Sequence, residues 1–269
     1  MMIRQAIVAA LAALAITPAA GRGQEQVAEH FRVTAVLAHP DDELPMAPAL
    51  AALSRQGHFV TIIHATAGDA GPGVSDLAPG EQLAKIRRQE AQCAATALGV
   101  SFLDNLGWGD GRLWQEARGK AAQADTLIAS ISAQIADADI ALTWGPDGGY
   151  GHADHRMVSA LATQVVQAMP AATRPKLLYV GIPAGRLPPV PEMAQWATTD
   201  PALLTESIAY TPADLAAASA AAQCHETQFD AATRAGMMPL FDATIWQGAV
   251  HFREAFGRPF NWPPAKPAE

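Results

Sequence analysis

Residues 35–47 read AVLAHPDDELPMA, and this stretch decides the fold. An apolar run suited to a buried strand ends abruptly in His39, Pro40, Asp41, Asp42 and Glu43, and residues 44–57 then follow a helical apolar spacing closed by Gly57. A strand feeding a helix through a short polar turn is the unit from which βαβ proteins are built. The turn itself is unusual, because three adjacent carboxylates repel one another just where the chain is about to be buried. Something positive has to stand beside them.

The same alternation continues along the chain. Strand-like runs at 32–38, 58–66, 100–105, 139–144 and 176–183 are separated by helical patterns at 44–57, 81–99, 124–138 and 155–169. Strands joined by helical crossovers predict an α/β, Rossmann-like three-layer domain with a mostly parallel sheet in the doubly wound order 3-2-1-4-5. A short strand near Leu204–Tyr210 and a helix from about Pro212 to Ala232 are expected as C-terminal additions. Dinucleotide binding is excluded, since the first strand–helix turn would need glycines around a pyrophosphate and instead carries charges that repel it.

At the N-terminus, Arg4, an apolar run from Ala6 to Ile16 and small residues around Ala19 to Gly23 form the pattern of a secretory signal peptide. The expected organisation is a signal peptide at 1–23, one domain at 24–258 and a Pro-rich tail at 259–269, with export to the periplasm or the extracellular space. Loss of 1–23 removes Arg4 and Arg22 and no acid, which takes the formal net charge from −8 to −10. With no basic stripe, nucleic acid is excluded as a partner, and no other apolar run reaches membrane-spanning length. Cys93 and Cys224 are the only cysteines. An oxidising compartment permits a disulfide, while the helical setting of Cys93 fits two buried thiols equally well.

The second unusual stretch is WGPDGGYGHADHRMV, residues 144–158, directly after the fourth strand. In a doubly wound sheet the first and fourth strands are neighbours whose chains leave toward opposite faces, and ligands bind beyond their carboxyl ends. His39, Asp41, Asp42, His152, Asp154 and His155 should therefore share one cleft. Imidazoles and carboxylates suit Zn²⁺, and a cation would relieve the repulsion in the first turn. His39 and Asp42, three apart, can face the same way while Asp41 diverges, so one aspartate can bind metal and the other reach the attacking water. Spacing does not choose between His152 and His155 as the third ligand. Three protein ligands leave an open position, as in a catalytic rather than a structural zinc site.

AHPDDE followed by GGYGHADH resembles the PIG-L (LmbE-like) zinc de-N-acetylases, and the likeness runs on through TAGDAG (66–71), RRQEAQCAATALGV (87–100) and HETQF (225–229). Ala153 stands where these proteins usually have Pro, and Ala218 where a basic residue is often found. The resemblance implies one zinc per chain held by His39, Asp42 and His155, with Asp41 as general base. It implies that His152, held by Asp154, stabilises the oxyanion and can protonate the leaving amine, that Tyr150 assists at the carbonyl oxygen, and that Arg87 and Asp110 contact sugar hydroxyls. Arg87 also suits a surface pair with Glu90 three residues on. The implied substrate is an N-acetylated amino sugar, free or in an oligosaccharide or glycoconjugate. A non-haem Fe(II) oxygenase shares the two-His, one-carboxylate set but would leave Asp41 idle. A sugar-binding protein that keeps its metal without catalysis is the other alternative.

Overall fold

RVTAVL and FVTIIHAT form β1 (Arg32–Leu37) and β2 (Phe59–Thr66), each buried at every position after its first residue. Such runs belong to strands covered on both faces. The structure, a computed structural model, describes residues 30–118 and 121–257, so the expected signal peptide and Pro-rich tail lie outside the described residues.

β3 (Phe102–Trp108), β2, β1, β4 (Ile140–Trp144) and β5 (Lys176–Val180) pair in that order, all parallel. The expected order 3-2-1-4-5 is therefore present. The sheet then continues in a way the sequence reading lacked. β6 (Glu206–Ala209) is the expected late strand, but it reaches the sheet only through β7 (Ala249–Glu254), which lies antiparallel between it and β5. The helix expected over 212–232 is two, α6 (Pro212–Cys224) and α7 (Ala231–Phe241), parted by a turn at 225–230.

One face of the sheet packs α1 (Ala47–Arg55), α2 (Glu81–Ala97), α6 and α7 around Leu50, Leu98, Ala222 and Phe241. The other packs α3 (Leu113–Arg118), α4 (Ala121–Ile135) and α5 (Ala153–Ala168) around Leu113, Ile131, Val158 and Val166. β1 therefore feeds α1 on one face while its neighbour β4 feeds α5 on the other. Their register, Val33 beside Ile140 and Ala35 beside Leu142, brings both carboxyl ends to one cleft.

Cys93 on α2 and Cys224 at the end of α6 form a disulfide. The alternative of two buried thiols is corrected, because Cys93 faces solvent and Cys224 is half-buried. Among the described residues no helix is long and apolar enough to cross a membrane.

Candidate active site

Where β1 ends, the chain folds back on itself. Asp42 Oδ2 accepts from the backbone N–H groups of Ala38 (3.0 Å) and His39 (2.8 Å), which closes the turn and brings the carboxylate beside the His39 ring. Pro45 then starts a short 3₁₀ turn, Leu44–Met46, leading into α1. Asp41, at the crest, has φ +94°, in the left-handed region that non-glycine residues rarely adopt.

The second loop is shaped by glycines. Gly148 has φ +71°, and a Cβ there would lie 2.8 Å from the His152 carbonyl. A Cβ on Gly149 would lie 2.7 Å from the Trp144 ring, which stacks on His155 at 5.1 Å. The Gly148 carbonyl is 3.1 Å from His155 Nδ1, and a carbonyl only accepts, so Nδ1 carries the proton. That leaves Nε2 of His155 with a free lone pair, as a metal ligand requires.

His155 Nε2 points at 2.9 Å to Asp42 Oδ1 and at 3.2 Å to His39 Nδ1, and His39 Nδ1 is 3.5 Å from Asp42 Oδ2. Tetrahedral bonds of about 2.0–2.2 Å would set donor atoms roughly 3.3–3.5 Å apart, so the three groups, 2.9–3.5 Å apart, would have to open by a few tenths of an ångström to take a zinc ion. The electrostatics agree. Burial works against a charged His39, yet the surrounding Asp110, Asp154 and Asp42 carboxylates hold its pKa well above the usual value. Burial also acts to raise Asp42, but His155 and His39 outweigh it and keep that carboxyl well below its ordinary range. The cluster calls for positive charge at this point. His152 is close as well, one of its ring nitrogens lying within 4.8 Å of one each from His39 and His155.

Around this centre lies a pocket of about 340 Å³, lined by His39, Asp41, Arg87, Asp110, Tyr150 and His152 together with Gln228. Arg87 is 3 % exposed, which excludes the surface pair with Glu90. Its guanidinium donates to the carbonyls of Pro40 (2.7 Å) and Gly68 (3.0 Å) and to Asp41 Oδ2 (3.3 Å). Gly68 is a requirement of that contact, since a Cβ there would stand 2.0 Å from the guanidinium. Burial, reinforced by Asp42 and Glu43 against Arg87 and His225, pushes the Asp41 carboxyl up to about 6. Such a value suits a general base near neutral pH.

Two of the expected residues make contacts the sequence reading lacked. Asp154 does not hold His152 through its carboxylate, which accepts from the N–H groups of Gly111 (2.7 Å) and Leu113 (3.2 Å) at the start of α3. Its backbone N–H instead donates to His152 Nδ1 (3.2 Å). Neutral His152 therefore carries its proton on Nε2, and burial together with His39 and His155 lowers its pKa. Asp110 reaches the pocket, but both of its oxygens are engaged. Oδ2 accepts from the N–H groups of Ala70 (3.0 Å) and Gly71 (3.1 Å), and Oδ1 lies 2.9 Å from His39 Nε2. A carboxylate behind a ligand histidine orients the ring and fixes its tautomer. Tyr150, 44 % exposed, presents its ring edge to His155 at 5.2 Å, and burial with the nearby Asp42 and Asp41 charges raises its phenol.

Glu43, Glu90, His225 and Gln228 had no assigned role in the sequence. Glu90 accepts from the N–H (2.7 Å) and hydroxyl (2.6 Å) of Thr227, which brings Gln228 to the pocket wall. Glu43 and Glu90 lie in the AHPDDE and RRQEAQ segments, whereas the only sequence signal for His225 and Gln228 was the HETQF segment, whose contacts lie more than a hundred residues away.

Comparison with known proteins finds a family model and curated relatives described as sugar deacetylases. The PIG-L family, described as GlcNAc-PI de-N-acetylase, matches residues 34–166. A 1D-myo-inositol 2-acetamido-2-deoxy-alpha-D-glucopyranoside deacetylase of Corynebacterium diphtheriae is 30% identical over 174 residues, 58% of this chain and 58% of that protein. The chain thus spans little more than half the length of such relatives. Among solved structures, an N,N'-diacetylchitobiose deacetylase from Pyrococcus horikoshii superposes with a TM-score of 0.60 at 19% identity, covering 83% of each chain. A 4-carboxy-2-hydroxymuconate hydratase from Pseudomonas putida shares the fold too, with a TM-score of 0.54 at 18% identity over 87% of this chain and all of that one.

Proposed function

Because residues 34–166 of this chain are a PIG-L family domain, we propose that the protein is a zinc-dependent hydrolase that removes the acetyl group from an N-acetylated amino sugar. The observation that carries this reading is the convergence of His39 Nδ1, Asp42 and His155 Nε2 within 3.5 Å of one another beside the Asp41 carboxylate, which Arg87 holds at the pocket wall. Fold alone would not carry it, since a hydratase shares the fold. His39, Asp42 and His155 would hold the metal. His152 is the weaker third ligand, because its Nδ1 is occupied by the Asp154 N–H and its Nε2 carries the proton. Bound zinc would polarise the amide carbonyl and bring the pKa of its water to about 7.

The chain's own groups divide the remaining work. Asp41, with a pKa of about 6, takes the proton of the attacking water while Arg87 fixes the carboxylate's direction. His152, which lines the pocket and whose proton the Asp154 contact leaves on Nε2, would donate to the carbonyl oxygen as it gains charge, with Tyr150 in the same pocket wall. The C–N bond then breaks, the acyl group leaves as acetate, and the departing nitrogen takes the proton that Asp41 drew from the water and leaves as the amine.

We further propose that residues 1–23 direct export. The exposed position of the Cys93–Cys224 disulfide supports an oxidising compartment. N-terminal sequencing of the protein from an extracytoplasmic fraction is expected to start after the small-residue segment; intact Met1 on cytoplasmic protein would reject export.

The central test is acetate release from a panel of N-acetylated saccharides, with zinc analysis of the purified protein. Asp41→Asn should keep zinc and lose about 10²–10⁴-fold in kcat, whereas Asp42→Asn should lose zinc affinity and recover part of its activity in excess metal. The reverse pattern would mean the two aspartates are assigned backwards. No acetate from any member, with zinc bound, would favour the binding-protein alternative.

A further inference from the structure

Asp41 sits at φ +94°, and a residue with a side chain stays there only where its surroundings hold it. On one side Arg87 takes its carboxylate at 3.3 Å. On the other its N–H donates to Glu43 Oε2 at 3.0 Å. Glu43 is 1 % exposed and carries no role in the reaction proposed above. A carboxylate so deeply buried needs charged or hydrogen-bonded company. Its company is histidine: His225 Nε2 lies 2.6 Å from Oε1, and His64 Nε2 lies 3.5 Å from Oε2.

His225 comes from the turn between α6 and α7, beyond the matched family segment, and it is fully buried. That turn is anchored on both sides, by the Cys224 disulfide to α2 and by Thr227 to Glu90 of the same helix. We infer that His225, acting through Glu43, is a positioning residue that holds the Asp41 backbone in its left-handed conformation and so aims the carboxylate into the pocket. The inference rests on the reading of Asp41 as the general base. It assigns the C-terminal part of the chain a function in the reaction that a purely architectural contact between α6 and the first loop would not have.

The test compares His225→Ala and His225→Gln with the wild type by zinc content, thermal midpoint, steady-state kinetics and crystal structure. In the alanine variant kcat should fall about 10²-fold, the scale of a misplacement near 1 Å, with KM within about threefold and zinc retained. Asp41 should leave the positive-φ region, and imidazole added to the buffer should fill the vacated space and restore part of kcat. The glutamine variant keeps a donor and should stay within about fivefold of wild type in kcat. If alanine does not fold, His225→Phe fills the same space without a donor and is read in the same way. A folded variant lacking the donor, with Asp41 unmoved or kcat within about twofold of wild type, overturns the inference, even if its thermal midpoint falls. Failure of the wild type to release acetate would instead sink the deacetylase reading, and the Asp41 conformation in the variants would still decide this one.

Discussion

Gly148 has two roles in the site: its φ of +71° turns the loop, and its carbonyl sets the tautomer of His155. Gly148→Ala puts a Cβ within 2.8 Å of both the His152 carbonyl and Arg156 Cγ, so the loop must shift. The expected result is a stability loss of about 1–3 kcal/mol and weakened zinc retention, read by thermal unfolding and by metal analysis after dialysis. Wild-type values for both would show that the carbonyl is dispensable. At this scale the sequence was informative about which residues meet and poor about how they point. His39, Asp41, Asp42, His152, Asp154 and His155 could be brought to one cleft from strand order, because topology fixes where strands end, but only the family resemblance singled out His155 over His152. The carboxylate of Asp154 could not be placed, because its partners are the N–H groups of Gly111 and Leu113 in a loop over forty residues earlier. Backbone donors leave no signature in residue identity.

The elements that sequence periodicity found are those whose burial is local and regular: the five parallel strands and the helices between them except the six-residue α3, which is too short for a helical period. Where tertiary contacts override periodicity, the reading failed. Ala-rich composition favours one helix through 212–232, yet α6 stops at Cys224 because His225 and Thr227 are drawn inward to Glu43 and Glu90. β7 was missed although Val250 and Phe252 alternate inward, since six residues after an irregular turn give too short a period to distinguish. The start of α6 is better specified. Thr211 and Asp214 form a capping box, and Asp214 also accepts from Arg55 of α1 at 2.8 and 3.0 Å. Asp214→Ala should therefore cost about 0.5–2 kcal/mol in denaturant unfolding, the range for a lost cap. The Arg55 contact, the Thr211 N–H and the Thr211 hydroxyl together hold the Asp214 carboxyl down at about 2. A carboxyl with an unfolded value of about 3.9 and a lower folded one contributes stability above the unfolded pKa and loses it as pH falls toward the folded one. The gap between wild type and variant should thus be full at neutral pH and shrink between about pH 4 and pH 2. A gap that is constant over that interval would mean the ionised form is not what stabilises the helix start.

Across the whole molecule, the C-terminal additions are tied back to the Rossmann-like core by the Cys93–Cys224 bond, which links positions 131 residues apart. Closing so long a loop restricts the unfolded chain far more than the folded one, and a native disulfide contributes typically about 2–4 kcal/mol. The location of the two cysteines makes that contribution measurable with little interference. Cys93 faces solvent and Cys224 is half-buried, so replacing both with serine opens no large cavity and buries no lone hydroxyl. The Cys93→Ser/Cys224→Ser variant should be less stable than wild type by about 2–4 kcal/mol in denaturant unfolding. Reductant should lower wild type to the same level and leave the variant where it is. That second comparison separates the cross-link from any packing effect, because reduction changes no side-chain volume. Stability of the wild type that is indifferent to reductant would show that the segment carrying His225 is held by Glu43 and Glu90 alone. Equal loss in both comparisons would show that the covalent tie stabilises the arrangement in which the C-terminal turn meets the first loop.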